Sequence, residues 1–124
     1  MNTRVAVLCV VVLTCVGCWG PHLTWQQKMN SSAGVERMQG VMTVGEERNW
    51  RALPQVIERL EDDDESVRLM SARVLQEMTG EDFGYKAYAP EHERREAANR
   101  WRNWWNTTGR HGPAAAKRKA GGQS

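Results

Sequence analysis

The fold of this chain is decided by residues 50–80, which read WRALPQVIERLEDDDESVRLMSARVLQEMTG. Apolar residues recur in this stretch at the three- and four-residue spacing of amphipathic helices. The first stripe is Leu53, Val56, Ile57 and Leu60, and the second is Val67, Met70, Val74, Leu75 and Met78. Because only a short acidic turn separates the two stripes, we expect two antiparallel helices packed stripe against stripe. The pattern predicts an all-α fold.

The second helix carries local signals at both ends. Asp64 is well placed as its N-cap, because a carboxylate can accept hydrogen bonds from the free backbone N–H groups of the first turn. Glu65 adds negative charge where the helix dipole favours it. Gly80 can take the left-handed conformation that ends many helices. We therefore expect a helix that begins after Asp64 and stops at Gly80.

A third helix should cover this hairpin, since one helical pair has too few contacts to fold alone. Pro90 suits the first turn of a helix, and residues 91–106 follow it. Tryptophan rings bury about 150–250 Å² each when they are enclosed. We expect this helix to lie across the hairpin, above Phe83, Tyr85 and Tyr88. Its apolar side would be formed by Ala97, Ala98, Trp101, Trp104 and Trp105.

The hairpin also carries Asp62 at the turn and Arg68 six residues later. With the neighbouring Ala52-Leu53-Pro54, Leu60, Ser66-Val67, Ala72, Val74-Leu75 and Thr79-Gly80, this pattern resembles one HEAT repeat of the short, phycobilisome-lyase-like type. The following segments, TGEDFGY at 79–85, AP at 89–90 and RWRNWW at 100–105, are similar to the end of uncharacterised exported HEAT-repeat proteins of planctomycete-type bacteria. The resemblance implies a helical fold and an exported location, and it implies no reaction.

The first eighteen residues have the form of an export signal. Arg4 is followed by an uncharged apolar run at 5–16 and then by Gly17 and Cys18. The run is shorter than the roughly 20 residues that a membrane span needs. The pattern resembles a bacterial lipoprotein signal, although Cys15 stands where such signals usually carry Leu. It implies a signal peptide at 1–17, lipidation of Cys18 and anchoring on the periplasmic side of the cell envelope. The alternatives are an ordinary cleaved signal, cut near Gly17 or Gly20, and an uncleaved anchor.

The rest of the chain divides by composition. We expect a polar spacer at 18–32, a small helical domain at 33–106 and a disordered basic tail at 107–124. An early helix capped by Ser32 would place Val35, Met38, Val41 and Met42 on one side. The tail has four basic residues, no acids and no large apolar side chain, so it cannot bury enough surface to offset its ordering entropy. Residues 18–106 carry twelve basic and fifteen acidic groups, which makes the body acidic.

No arrangement of reactive residues stands out. The acidic run at 61–65 could attract calcium, but it lacks the spacing of a calcium-binding loop, and a solvated helix start explains it. His92 lies between two glutamates, yet the position four residues later is Glu96, where a zinc protease needs a second His. The sequence contains no nucleophile elbow and no phosphate-binding loop, and Cys18 is the last cysteine of the chain. We expect no enzyme activity, no metal and no cofactor.

Two functions fit these expectations. The first is a lipid-anchored, non-catalytic interaction module of the cell envelope, whose partner is another envelope protein or a second copy. In this interpretation Asp62, Asp64, Arg68, Gly80 and the three tryptophans of the last helix are structural. The alternative is binding to a membrane surface through the Arg/Trp helix and the basic tail. Nucleic acid is not an expected partner, because the chain is exported and its body is acidic.

Overall fold

The computed structural model describes residues 22–122, so the proposed signal and Cys18 lie outside the described residues. All regular structure within this range is helical, as the sequence predicts. Short 3-10 turns at Trp50–Ala52, Arg59–Glu61 and Gly109–His111 join or extend the α-helices. The helices are α1 (Trp25–Met29), α2 (Gly34–Glu46), α3 (Leu53–Glu58), α4 (Glu65–Thr79), α5 (Glu91–Thr107) and α6 (Pro113–Gly121).

Helix α4 has the ends that the sequence predicts. The Asp64 carboxylate accepts hydrogen bonds from the backbone N–H groups of Ser66, at 2.8 Å, and Val67, at 3.4 Å. Gly80 ends the helix in the left-handed region, with φ of +79°. Across the turn, α3 packs against α4 and buries the first predicted stripe in the core, at Leu53, Val56, Ile57 and Leu60.

The most extensive packing of α4 is with α2. The two helices run in the same direction, because Gly34 at the start of α2 lies against Asp64 and Gly45 near its end lies against Val74. A Cβ at Gly45 would lie 2.9 Å from Cγ2 of Val74, so the glycine permits this close approach. The hairpin is therefore covered on one side by α2, a helix upstream of it, as well as by the predicted cap.

Helix α5 packs on α3 and runs antiparallel to it. Arg102 in α5 pairs with Glu58 in α3 and with Glu61 just beyond, while Trp105 lies near Pro54 at the start of α3. The predicted apolar side of α5 is confirmed, since Ala97, Ala98 and Trp101 are buried and Trp104 and Trp105 are half-buried.

The buried face of α2 differs from the prediction. Val41 is buried, but Val35 and Met42 are 62% and 36% exposed, and the buried face instead contains Arg37, Gly40, Val41 and Val44. Ser32 is not the cap either, because the N-cap is Ala33 and no side chain caps the helix. The reason is tertiary: α1 and α4 both approach α2 closely at its glycines, and those contacts fix which side turns inward.

The predicted polar spacer contains α1, which packs against α2 and buries Met29 in the core. A local signal for this helix exists in the sequence. Thr24 and Gln27 form a capping box, in which the Thr24 N–H donates to Gln27 Oε1 at 2.8 Å and the Gln27 N–H donates to Thr24 Oγ1 at 3.3 Å.

The prediction of a disordered tail is wrong for residues 109–121. A 3-10 turn covers Gly109–His111, and α6 extends from Pro113 to Gly121. Alanine, lysine and arginine are strong helix formers, and Pro113 occupies the first turn, where proline is tolerated. The segment is held to the body because the Trp50 indole N–H donates to the Gly109 carbonyl at 2.7 Å.

Candidate functional site

A buried polar network surrounds the Asp62 carboxylate, at the turn between α3 and α4. Its side chain is 2% exposed. Arg37 of α2 binds it with two parallel hydrogen bonds, Nε to Oδ2 at 2.9 Å and Nη2 to Oδ1 at 2.8 Å. Arg59 donates to Oδ2 at 3.3 Å, and the backbone N–H of Asp64 donates to Oδ1 at 3.0 Å. Both oxygens are therefore fully engaged.

The sequence pattern did not predict the buried ion pair of Arg37 with Asp62. Besides Asp62, its guanidinium donates to the carbonyls of Ser31, at 3.0 Å, and Ser32, at 2.9 Å, and to the exposed carboxylate of Asp63, at 2.6 Å. It thus joins the α1–α2 loop to the α3–α4 turn. The only sequence signal would have been an arginine that lies on the same helical face as Val41 and Val44.

Arg68 serves the same turn through the backbone. Its Nη1 donates to the carbonyls of Asp62, at 2.9 Å, and Asp63, at 3.1 Å, and its Nε donates to Ala87 at 3.0 Å. Asp62 and Arg68 therefore lie in contact, and it is the backbone carbonyl of Asp62 that Arg68 binds. The carboxylate is bound by Arg37.

This network stabilises the charged forms of Asp62 and Arg37. Burial alone would raise the pKa of the Asp62 carboxyl, but the hydrogen bonds from Arg37 and from the Asp64 backbone outweigh it, so the pKa lies below its ordinary value. The hydrogen bonding that Arg37 donates to Asp62 is the main cause that raises the pKa of Arg37. Within residues 22–122, no group of three or more His, Cys, Asp or Glu side chains is arranged to hold a metal ion.

The aromatic residues of α5 form a cluster around Trp101, which is fully buried. Phe83 meets Trp101 edge-on, with ring centroids 4.7 Å apart, and Trp104 lies 5.5 Å from Trp101. Trp50 contacts Trp104 at 6.0 Å. The Tyr85 hydroxyl donates to the Leu60 carbonyl, but Tyr88 does not pack beneath α5 as predicted, because its side chain is 73% exposed. These tryptophans, predicted to be structural, pack inside the domain or at its edge.

The arginines of α5 bind protein groups. Arg102 pairs with Glu58 and Glu61, and Arg95 pairs with Glu91. The hydrogen bond from Arg102 is the main cause that lowers the pKa of Glu58. Arg100 donates to the Phe83 carbonyl at 2.9 Å and has no hydrogen bond to Glu96, with which a helical i, i+4 pair is possible.

A groove lies between the outer sides of α2 and α4, and we call it the methionine groove. Its cavity volume is about 240 Å³. Several large apolar side chains in residues 22–122 are exposed. Three of them lie on these two helices: Val35, Met42 and Leu69. The groove is lined by Met42, Gly45, Glu46, Met70, Arg73, Val74 and Glu77.

Comparisons with protein families, with curated proteins and with solved structures find no match to this chain. Between residues 22 and 122, no helix has both the length and the apolar character to cross a membrane.

Proposed function

We propose that this protein is a non-catalytic interaction module that is held at the cell envelope by a lipid on Cys18. The observation that carries the proposal is the methionine groove. Methionine side chains adapt to partners of different shape and are common at surfaces that bind helices. An apolar stripe left at the surface of a small domain is typical of a protein-binding site.

The charges on the rim of the groove indicate the kind of partner. Arg73 forms an ion pair with Glu77, with the two atoms 2.7 Å apart. Glu46 is the rim carboxylate that has no ion pair with an arginine within residues 22–122. A helix with an apolar stripe flanked by a lysine or arginine would complement this surface. The partner that fits best is therefore an amphipathic, basic helical segment of another envelope protein.

The chemistry of the site supports a binding role over catalysis. Catalytic acids and bases need a free atom within hydrogen-bonding reach of a substrate. Both oxygens of Asp62 are already bound by Arg37, Arg59 and the Asp64 backbone. His92 and its neighbouring glutamates are exposed at the start of α5.

Photo-crosslinking in intact cells tests the groove. The photoreactive residue benzoylphenylalanine is placed at Leu69 in one variant and at Gln39, on the neighbouring turn of α2, in another. We expect both variants to give a covalent adduct of the same mass after irradiation, and we expect Met42→Glu to abolish it. The same probe at Glu96, on the exposed side of α5, is the matched control.

The mass of the adduct identifies the partner class, because twice the chain mass indicates a second copy. Equal adducts at Leu69 and Glu96, or no adduct at either Leu69 or Gln39, which lie next to the groove on α4 and α2, would contradict an interaction role for this groove. Labelling cells with a lipid precursor tests the tether separately. We expect label on the parent protein and none on Cys18→Ala.

Binding to a membrane surface is the second candidate. It is favoured by the exposed side chains of Lys117 and Arg118 on α6, since no acidic residue follows Asn106. Each such charge near an anionic surface adds about 1 kcal/mol of attraction. Helix α5 gives membrane binding less support, because Trp101 is fully buried and Arg102 is paired with glutamates. Co-sedimentation with anionic vesicles, compared between the parent and a Lys117→Gln/Arg118→Gln double variant, tests it.

A further inference from the structure

A second cavity lies between α5 and α6 and is separate from the methionine groove. Its volume is about 430 Å³, which is within the 300–1,000 Å³ range typical of small-molecule sites. It exists because the C-terminal segment folds back onto the body. We call it the α5–α6 cleft. Its lining residues are Glu81, Phe83, Arg100, Asn103, Trp104, Thr107, Ala116, Lys119 and Ala120.

Specific contacts hold α6 in the position that forms the cleft. The turn before α6 packs its Gly109 directly against the rings of Trp104 and Trp105, where a Cβ would lie 2.6 Å from a carbon of the Trp104 ring. Gly112 then turns the chain with φ of +94°, a conformation that glycine adopts without strain. At the far end of α6, Lys119 Nζ donates to Thr108 Oγ1 at 3.1 Å.

Aromatic rings line one side of the apolar part of the cleft, and small alanine side chains line the other. Phe83 and Trp104 have ring centroids 6.3 Å apart and are both half-buried. Ala116 and Ala120, one turn apart on α6, face them across the cavity. A flat or narrow apolar group can enter between the rings and the alanines, where it would make aromatic contacts.

The polar part of the cleft carries donors with spare capacity. Arg100 uses its Nε on the Phe83 carbonyl, and its Nη1 and Nη2 have no hydrogen bond to any residue in 22–122. The Asn103 side-chain amide makes no hydrogen bond within the same range, where Thr107 Oγ1 donates only to its backbone carbonyl, at 2.9 Å. Lys119 has one bond and two further N–H donors.

The net charge of the lining is a single positive unit, since Arg100 and Lys119 face one carboxylate, Glu81. Charge-assisted hydrogen bonds to a carboxylate are about twice as strong as neutral ones. A dianion would meet repulsion from Glu81, and a cation would meet two like charges. The lining therefore favours a ligand with one negative charge.

We propose that the α5–α6 cleft binds a small monoanion with an aromatic or aliphatic body, such as an arylalkyl carboxylate. The carboxylate binds Arg100 and Lys119, and the apolar body lies between the aromatic rings and the alanines of α6. This site is independent of the methionine groove, and it does not depend on the proposed interaction function.

Calorimetric titration of the full chain tests the site with phenylbutyrate as the probe. Phenylbutylamine, which has a similar body and the opposite charge, is the matched ligand control. We expect phenylbutyrate to bind at least about tenfold more tightly than the amine. We also expect amide resonances of Phe83, Trp104 and Lys119 to shift on titration with phenylbutyrate.

Charge-removing variants place the ligand in the cleft. We expect Arg100→Gln and Lys119→Gln each to weaken phenylbutyrate binding about tenfold, since each removes one charge-assisted hydrogen bond. Lys117→Gln removes the same charge from the same helix but lies outside the cleft, so its affinity should equal that of the parent. Near-UV circular dichroism verifies that each variant keeps its aromatic packing.

Three results would overturn the proposal. These are the absence of phenylbutyrate binding to the folded parent, equal affinity for the amine, and equal weakening by Lys117→Gln and Lys119→Gln. A methionine-groove variant, Met42→Glu, should leave phenylbutyrate binding unchanged. The two sites are thereby tested separately.

Discussion

At the scale of single residues, the Arg37–Asp62 pair links the α1–α2 loop to the α3–α4 turn. The two residues are 25 positions apart in sequence, and both side chains are withdrawn from water. A buried pair of this kind adds little net stability over an apolar pair of the same shape, but removing one partner leaves an uncompensated charge and costs about 3–5 kcal/mol. Its main effect is therefore to specify how the loops meet.

Asp62→Asn should show this in its pH dependence. The folded pKa of Asp62 lies below its ordinary value of about 3.9, so the ionised group contributes stability above that value and loses it as the pH falls through the lowered pKa. We expect the variant to be less stable than the parent by about 3 kcal/mol at pH 7. The difference should shrink on acidification below about pH 4.

Urea unfolding at a series of pH values measures the difference between parent and variant. Asp63→Asn is the matched control, because Asp63 contacts the same arginine through a side chain that is 90% exposed. Its difference from the parent should be small and should vary little with pH. A constant deficit for Asp62→Asn down to pH 2 would show that the charge of Asp62 is not responsible.

Trp101 has a different role, which is to fill space. Its indole N–H has no acceptor within residues 22–122, so Trp101→Phe loses no hydrogen bond and should cost about 2 kcal/mol through a partial cavity. Trp101→Ala should cost about 3–5 kcal/mol. Chemical denaturation followed by far-UV circular dichroism measures both values. Equal costs would mean that the ring does not pack in the way we describe.

At the scale of elements, glycines set the distances between helices. In the sequence, Gly40 weakens the case for α2, because glycine disfavours a helix by about 1 kcal/mol relative to alanine. In the fold, a Cβ at this position would lie 2.9 Å from the backbone nitrogen of Met29 and from the carbonyl oxygen of Trp25. The residue that weakens the isolated helix is the one that lets α1 pack on it.

Gly40→Ala should therefore destabilise the protein, although alanine has a higher helix propensity than glycine. We expect a loss of about 1–3 kcal/mol in the free energy of unfolding, since α1 must move away from α2. The control is Gly121→Ala, where a Cβ would meet nothing within 4 Å. A thermal melt that places Gly40→Ala above the parent would contradict the close contact.

At the scale of the whole molecule, the folded body extends beyond the predicted hairpin and cap in both directions. Helix α1 closes one side and buries Met29, and the carbonyls of Ser31 and Ser32 bind Arg37. At the other end, the segment after α5 returns to Trp50. Two segments whose composition resembles that of linkers, residues 22–32 and 109–121, therefore pack against the body of the domain.

Replacing residues 22–32 by a Gly/Ser segment of equal length tests this extension. We expect a loss of about 2–5 kcal/mol from the removal of Met29 and its neighbours from the core, together with a lower urea midpoint. If the segment were only a spacer, the midpoint would not change. The parent should unfold in one transition, with the same midpoint by tryptophan fluorescence and by circular dichroism.

The sequence alone determined the all-α class, the extent of α4 and its two caps, and the apolar side of α5. These features depend on residues within one or two turns of each other, so the local pattern contains the information. Only the tertiary structure decided which face of α2 is buried, how Arg37 meets Asp62 and where the C-terminal segment packs. Those outcomes depend on contacts between segments that are distant in sequence. The free energy gained by burying a side chain depends on the surface against which it packs. For that reason Val35 and Met42, which periodicity assigns to an apolar stripe, lie on the surface, while Arg37 and Gly40 lie inside.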